Sequence, residues 1–107
     1  MADGSHPDEL PQSWSAAHLD GRTSARRAVT LFLSEHGITF HREDGQTRFW
    51  RYDDIRQTQG EHKGEPLRLE YGASLPEALV IDDPSFIPVL RHYVEGRHQH
   101  FHFPIAI

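Results

Sequence analysis

The sequence contains no cysteine, which excludes disulfides and thiolate-ligated zinc and leaves the redox compartment undetermined. It contains no apolar run close to the ~20 residues that a membrane-spanning helix requires. The first residues are polar and acidic, so no signal peptide is indicated. Basic residues are outnumbered, with 11 Lys and Arg against 16 Asp and Glu and a net charge of -5. This balance argues against general nucleic-acid binding, which requires a basic face.

Apolar residues are also scarce, at 36% of the chain with a mean hydropathy of -0.65. A chain of 107 residues is long enough for one domain with a real core and too short for two. The shortage is most marked at the start, and we therefore predict a disordered leader over residues 1–19. Trp14 is the exception in this stretch. Because aromatic side chains gain most from burial, we predict that Trp14 anchors against the domain, with partner binding as the alternative.

Residues 26–52 carry the clearest pattern, three β-type runs separated by two turn signals. Apolar residues such as Val29 and Leu31 recur at every second position, which places them on one face of a pleated ribbon. Asp44-Gly45 is a strong hairpin signal, because both turn positions must tolerate positive φ. Gly37 offers a left-handed conformation at the earlier turn. The predicted strands of this antiparallel meander are 25–34, 38–43 and 47–53.

The second half of the chain predicts three more strands and then a helix. Asp83-Pro84 marks the helix start, because Asp is a favoured N-cap and Pro is favoured at the first helical position. Gly96 can end the helix. The predicted strands are 55–59, 67–71 and 75–81. The apolar stripe of the predicted helix consists of Phe86, Val89, Leu90, Tyr93 and Val94.

This order of elements predicts an α+β fold, a six- to seven-stranded antiparallel roll or barrel capped by one C-terminal helix. The helix is expected to cover the end or face that a curved sheet of this size leaves open. We predict a domain over residues 20–96, followed by a C-terminal tail or an extra strand over 97–107.

A six- or seven-stranded sheet followed by a C-terminal helix resembles the pleckstrin-homology-like superfold, including its GRAM-like members. More narrowly, residues 20–31 resemble the start of the N-terminal domain of bacterial membrane zinc metallopeptidases of the CAAX-protease-like type; they read Asp-Gly-Arg-Thr-Ser-Ala-Arg-Arg-Ala-Val-Thr-Leu. The resemblance implies a domain in the cytoplasm or on the cytoplasmic face of the inner membrane, with the rest of a longer membrane protein as its partner. Further matches are Gly37-Ile38, Trp50, Asp54-Ile55-Arg56, and a final helix from Pro84 to Tyr93.

The sequence departs from those peptidases in one respect that decides its expected activity. Their zinc site needs His-Glu-x-x-His on a helix, and this string does not occur here. No catalytic residue and no catalytic zinc can therefore be carried over, and we expect no enzymatic activity and no required cofactor. The predicted function is a non-catalytic interaction or regulatory domain that recognises a protein partner. It would be an accessory domain of such a peptidase or a free-standing relative.

A second class of function is suggested by His98, His100 and His102, which form the sharpest local motif. In an extended chain the three imidazoles project to one side, roughly 6–7 Å apart per step. Imidazole is the commonest metal ligand, so a His-rich protein that binds zinc is an alternative function. A surface strand or a frayed tail would explain the same residues without metal.

Arg22, Arg26 and Arg27 form the one basic cluster in the sequence and are a candidate patch for anionic ligands. In pleckstrin-homology folds a basic pocket near the first hairpin holds phosphoinositide head groups. The resemblance therefore implies a lipid head-group-binding module, with a membrane surface as its partner, as a further alternative. An exposed charged face of the sheet is the structural explanation of the same cluster.

Overall fold

The computed structural model of the chain describes residues 12–60 and 62–95. Within these ranges it contains seven β-strands, one short 3₁₀ helix and one α-helix. The predicted tail over 97–107 lies outside the described residues. The strands are β1 (Trp14–Leu19), β2 (Arg27–Leu33), β3 (Gly37–Arg42), β4 (Thr47–Arg51), β5 (Ile55–Gln59), β6 (Leu67–Tyr71) and β7 (Glu77–Ile81). The 3₁₀ helix is Tyr52–Asp54, and the α-helix, α1, is Phe86–Glu95.

The strands form one antiparallel sheet in the order β4-β3-β2-β1-β7-β6-β5. β1 pairs with both β2 and β7, so the first and last strands of the described residues meet. β4 and β5 follow each other in the chain but are the two ends of the sheet. The sheet therefore curls into a half-barrel that stays open along one line between β4 and β5, which we call the seam. Together with α1 it is an α+β roll, which confirms the predicted fold class.

Local sequence explains the hairpin between β3 and β4. Gly45 has a φ of 89°, and its amide donates to the carbonyl of Arg42 at 3.0 Å. The carboxylate of Asp44 accepts a hydrogen bond from the amide of Gln46 at 3.0 Å, as Asp commonly does in turns. The turn predicted from Asp44-Gly45 is confirmed, but of its two residues only Gly45 has a positive φ.

Gly37 has a different role from the predicted left-handed turn. It is the first residue of β3 and does not have a positive φ. A Cβ atom at this position would collide with the carbonyl oxygen of Trp50 and would lie 2.8 Å from Cζ of Phe49. Glycine is needed here because β4 and the Phe49 ring approach the backbone closely.

The predicted leader over residues 1–19 is wrong for its last six residues, which form β1. This strand lies in the centre of the sheet, between β2 and β7. The small residues that follow Trp14 have low intrinsic strand propensity, which concealed the strand in the sequence. Pairing on both sides stabilises it, and its inward-facing residues Trp14 and His18 are both buried.

Trp14 anchors β1 to α1, as predicted. Its ring meets the ring of Phe86 edge to face, with centroids 5.1 Å apart. Its indole N–H donates to the Ser85 hydroxyl at 3.0 Å. Both the apolar body and the polar atom of the Trp side chain are therefore accommodated at the junction between the sheet and the helix.

α1 covers one end of the roll with the apolar stripe that the sequence predicts. Phe86, Leu90 and Val94, spaced four residues apart, are its buried residues, whereas Val89 and Tyr93 are partly buried. The interior of the roll is filled by alternate strand residues in one continuous core. They include Val29, Leu31, Ile38, Phe40, Trp50, Ile55, Leu67, Leu69, Leu79 and Ile81.

The helix begins two residues later than predicted, at Phe86 rather than Pro84. Asp83 still organises its start, because its carboxylate accepts hydrogen bonds from the amide and the hydroxyl of Ser85, at 2.9 and 2.8 Å. The amide of Phe86 donates to the carbonyl of Asp83 at 3.2 Å and closes the preceding turn. α1 has 10 residues, and in the described part of the chain no helix has the length and apolarity to cross a membrane.

Candidate functional site

The seam is bridged by side chains instead of backbone hydrogen bonds. Arg48 of β4 donates from Nη2 to Oε2 of Glu77, at the start of β7, over 2.7 Å. Trp50, two residues further along β4, stacks on Tyr71 of β6 with ring centroids 4.9 Å apart and an interplanar angle of 8°. One ion pair and one aromatic stack therefore join β4 to the strands on the far side of the seam.

A buried histidine completes this cluster from β1. His18 is 1% exposed and is the one buried polar side chain among the described residues. Its Nε2 atom lies 2.8 Å from Oε1 of Glu77, so the two oxygens of this carboxylate contact His18 and Arg48 separately. The imidazole packs against Phe40, with centroids 5.0 Å apart. We call His18, Arg48, Trp50, Tyr71 and Glu77 the seam cluster.

Hydrogen bonding keeps the Glu77 carboxylate charged. Burial raises its pKa, but the hydrogen bonds and positive charge of Arg48, together with the hydrogen bond from His18, outweigh burial, and the net pKa lies below the ordinary value. A charged carboxylate only accepts hydrogen bonds, so Nε2 of His18 carries the shared hydrogen. Glu77 thus holds β1 and β4 together from its own position in β7.

The His18–Glu77 pair resembles the base and orienting carboxylate of nucleophilic enzymes only in part. In those sites the second ring nitrogen of the histidine faces a nucleophile or substrate. Here the second nitrogen, Nδ1, is buried and has no hydrogen-bond partner in the described part of the chain. The geometry is suited to joining strands, since the reactive nitrogen is not accessible to a substrate.

The three arginines that the sequence predicts as an anionic-ligand patch are all exposed. Arg22 and Arg26 lie in the loop between β1 and β2, and Arg27 begins β2. The carboxylate of Asp20 orders this loop, because it accepts from the amides of Arg22 and Thr23 at 2.8 and 3.1 Å, and these bonds lower its pKa.

Arg27 also borders a shallow depression of about 290 Å³ at this end of the roll. The other residues around it are Arg42, Glu43 and Asp44. Arg42 is paired with Asp44 at 3.1 Å, so the depression itself has mixed charge. The structure therefore brings Arg27 close to a fourth arginine, but with acidic residues beside it.

The loop between β1 and β2, residues 20–26, which we call the arginine loop, is packed against the turn between β6 and β7. Gly21 has a φ of 82°, and a Cβ atom there would lie 2.6 Å from the carbonyl oxygen of Leu75 and 2.7 Å from that of Pro76. Leu75, at the tip of this turn, is 57% exposed. An exposed apolar side chain is therefore fixed beside the basic loop.

A larger groove lies where the loop between β5 and β6 faces the start of α1. It has a volume of about 520 Å³, within the range of ligand pockets. The groove is lined by apolar side chains and has charged residues at its rim. Its apolar lining includes Pro66, Leu67, Ile81, Pro84 and Ile87, and the charged residues are Lys63, Glu65, Asp82 and Asp83. We call this the helix groove.

The predicted metal ligands His98, His100 and His102 lie outside the described residues, so zinc binding there stays a prediction. Within residues 12–60 and 62–95 no group of three or more His, Cys, Asp or Glu side chains could hold a metal ion. The remaining histidines of the described part, other than His18, are exposed; they are His36, His41, His62 and His92.

Sequence reasoning missed His18, Arg48 and Glu77 as a group. The hydrogen-bonded pairs are 59 and 29 residues apart in the chain, and no local motif connects them. The only signal in the sequence was the period-two spacing of Trp14 and His18, which identifies His18 as inward-facing once β1 is recognised.

The fold and its clusters define a small α+β domain built from a half-open antiparallel roll and one capping helix. Residues 13–91 match the family described as a domain of unknown function, DUF7092, and the chain belongs to this family. The match begins next to β1 and ends within α1. The family domain therefore includes β1, which the sequence predicts to be part of a disordered leader.

Among solved structures, the fold is similar to the C-terminal domain of an unknown protein from Leishmania infantum. The TM-score is 0.51 and the sequence identity is 16%, over 77% of this chain and 81% of that chain. At this identity the similarity supports the fold alone. No curated protein matches the chain in sequence.

Proposed function

We propose that this chain is a non-catalytic interaction domain of the pleckstrin-homology-like, GRAM-like type. On this proposal it serves as an accessory domain of a membrane zinc metallopeptidase, or is a free-standing relative, in the cytoplasm or at the cytoplasmic face of the inner membrane. Support for the fold type comes from the seven antiparallel strands and the helix over one end of the roll. Support for the peptidase connection comes from the sequence resemblance over residues 20–31 and at Trp50.

The observation that carries the proposal is the contrast between a filled interior and open edges. Side chains occupy the inside of the roll, and the one buried histidine is enclosed. β4 and β5 each have a hydrogen-bonded neighbour on one side only. An edge strand with unpaired backbone groups can accept a strand from a partner, with side-chain pockets nearby providing specificity. Recognition of a protein segment along β5 is the function this geometry supports best.

The edge-strand role is tested by photo-crosslinking in cells. A photo-reactive amino acid replaces Thr58, which is exposed on β5, and in a control chain it replaces Thr30, which is exposed on the doubly paired strand β2. We expect one defined product from position 58, formed with the peptidase, and none from position 30. Equal labelling from both positions would rule out recognition at the edge.

The peptidase connection has a separate test in the genome. The reading frame that contains this sequence, or its neighbour, is expected to encode His-Glu-x-x-His on a predicted helix. If neither frame contains the motif, the connection is removed, while recognition along β5 can still hold with another protein.

A second candidate function, binding of anionic lipid head groups, is favoured by the position of Leu75 beside the arginine loop. Arg22 and Arg26 would contact head groups while Leu75 enters the interface. Each basic residue near an anionic surface contributes about 1 kcal/mol. We expect co-sedimentation with phosphatidylserine vesicles that is lost on R22E/R26E and at high salt, and kept in the control R51E. Equal binding to neutral vesicles would exclude this function.

A further inference from the structure

The helix groove is preformed and has a chemistry of its own. Glu65 fixes the loop that forms one wall, because its carboxylate accepts from the amides of Gly60 and His62 at 3.2 and 3.3 Å. Asp83 is held by Ser85 at the opposite wall. Asp82 makes no ion pair with the described residues. The groove therefore presents an apolar surface with an excess of carboxylates at its rim, and its ligand should be apolar and positively charged.

One segment of this chain has that chemistry. Residues 96–107, which lie outside the described part of the structure, contain Arg97 and three histidines and no acidic residue. Residues 101–107 read Phe-His-Phe-Pro-Ile-Ala-Ile and are apolar at six of seven positions. Residues 101–107 match the apolar lining, Arg97 just before them carries a fixed positive charge, and the histidines add positive charge when protonated, so the segment complements the acidic rim of the helix groove.

The segment is also long enough to reach the groove. Ile87, which lines the groove, precedes the last described residue, Glu95, by eight residues of helix, or about 12 Å. The six residues 96–101, which follow Glu95, span up to roughly 20 Å when extended. We propose that residues 101–107 bind in the helix groove of the same molecule. This goes beyond the proposed recognition along β5, and it makes the groove a site that an external apolar peptide reaches only by displacing the chain's own segment.

The absence of cysteine allows a direct test on the full chain. A nitroxide spin label attached to A106C should reduce the amide signal intensities of Leu67 and Ile87 in NMR spectra and leave that of Thr30 unchanged. I87E places a charge in the groove and should abolish the effect. D82K reverses a rim charge at an exposed site that does not threaten the fold, and should weaken it.

The matched control is R91E, which adds an acidic residue on an exposed site of the same helix outside the groove lining. It should leave the signal loss intact. Signal loss that persists in both I87E and D82K would overturn the proposal. A second control mixes two chains: an isotope-labelled chain without the nitroxide, which NMR observes, and an unlabelled chain that carries the nitroxide. Signal loss in this mixture would also overturn the proposal, because it would place the segment of a second copy in the groove. Failure of either kind would not affect the crosslinking result at β5.

Discussion

The ion pair between Arg48 and Glu77 should contribute more to stability than an ordinary surface pair. The Arg48 and Glu77 side chains are 35% and 20% exposed, and their charged atoms are 2.7 Å apart. Exposed ion pairs contribute up to about 1 kcal/mol, whereas hydrogen bonds to charged groups contribute about 1.5–3 kcal/mol. For R48M, which keeps most of the apolar stem and removes the charge, we expect a loss of about 1–2 kcal/mol.

Urea unfolding measures this loss directly. With a slope of about 2 kcal/mol per molar, the midpoint of R48M should fall by roughly 0.5–1 M. E77Q loses the charge but keeps the shape and an oxygen that can accept from His18, so its loss should be similar. The double variant R48M/E77Q should be more stable than the sum of the two losses predicts, by about 1 kcal/mol, because both single changes remove the same contact.

The control is R51M in the same strand, whose arginine is 65% exposed and pairs with Asp53 at 3.3 Å. Its free energy of unfolding should differ from that of the parent by less than about 0.5 kcal/mol. If R48M and R51M shift the midpoint equally, or if the losses at Arg48 and Glu77 simply add, the ion pair does not stabilise the seam.

Three further predictions concern the same fold. The Glu77 pKa is lower in the folded chain than its ordinary value of 4.5, so the stability it contributes should be complete above that pH and decline as pH falls through the folded pKa; E77Q should lack this acid dependence in urea titrations. G37A should lower the free energy of unfolding by about 1–3 kcal/mol, because the added methyl group overpacks against β4. The loss should exceed that of G64A, where a Cβ meets open space and only the φ of 92° opposes it. Equal shifts in melting temperature would contradict the close approach of β4 to Gly37. W14A should lose about 3–5 kcal/mol, and W14F should recover most of that loss; a leader that can be truncated past Trp14 without loss would contradict the anchoring role.

The sequence predicts most of the sheet because most strands alternate apolar and polar residues between clear turns. The predicted bounds of β2 to β6 lie within a few residues of the observed ones, and the apolar stripe from Phe86 to Val94 predicts α1. β7 begins two residues later than expected, at Glu77, and Leu75 remains in an exposed turn. β1 was missed because its strand conformation depends on pairing with β2 and β7, which local propensity cannot reveal.

The candidate sites divide in the same way. The basic cluster at Arg22, Arg26 and Arg27 is local in the chain, so its composition alone identifies it. The seam cluster depends on the register of β1, β4 and β7, since His18, Arg48 and Glu77 meet only after the sheet has curled. No local spacing rule predicts which carboxylate will face which arginine across a half-barrel.

The bridged seam has a consequence for recognition at β5. Strand pairs elsewhere in the described sheet are joined by ladders of backbone hydrogen bonds, whereas β4 and β5 have no such ladder between them and the seam is held by side-chain contacts, among them the Arg48–Glu77 ion pair and the Trp50–Tyr71 stack. Local opening of a fold takes place where the fewest contacts must be broken, so the seam should open before the other strand pairs do. A partner strand that adds to β5 needs that side of the sheet exposed. R48M should therefore increase crosslinking from position 58 relative to R51M, whereas an unchanged yield would mean that the β5 edge is accessible without opening of the seam.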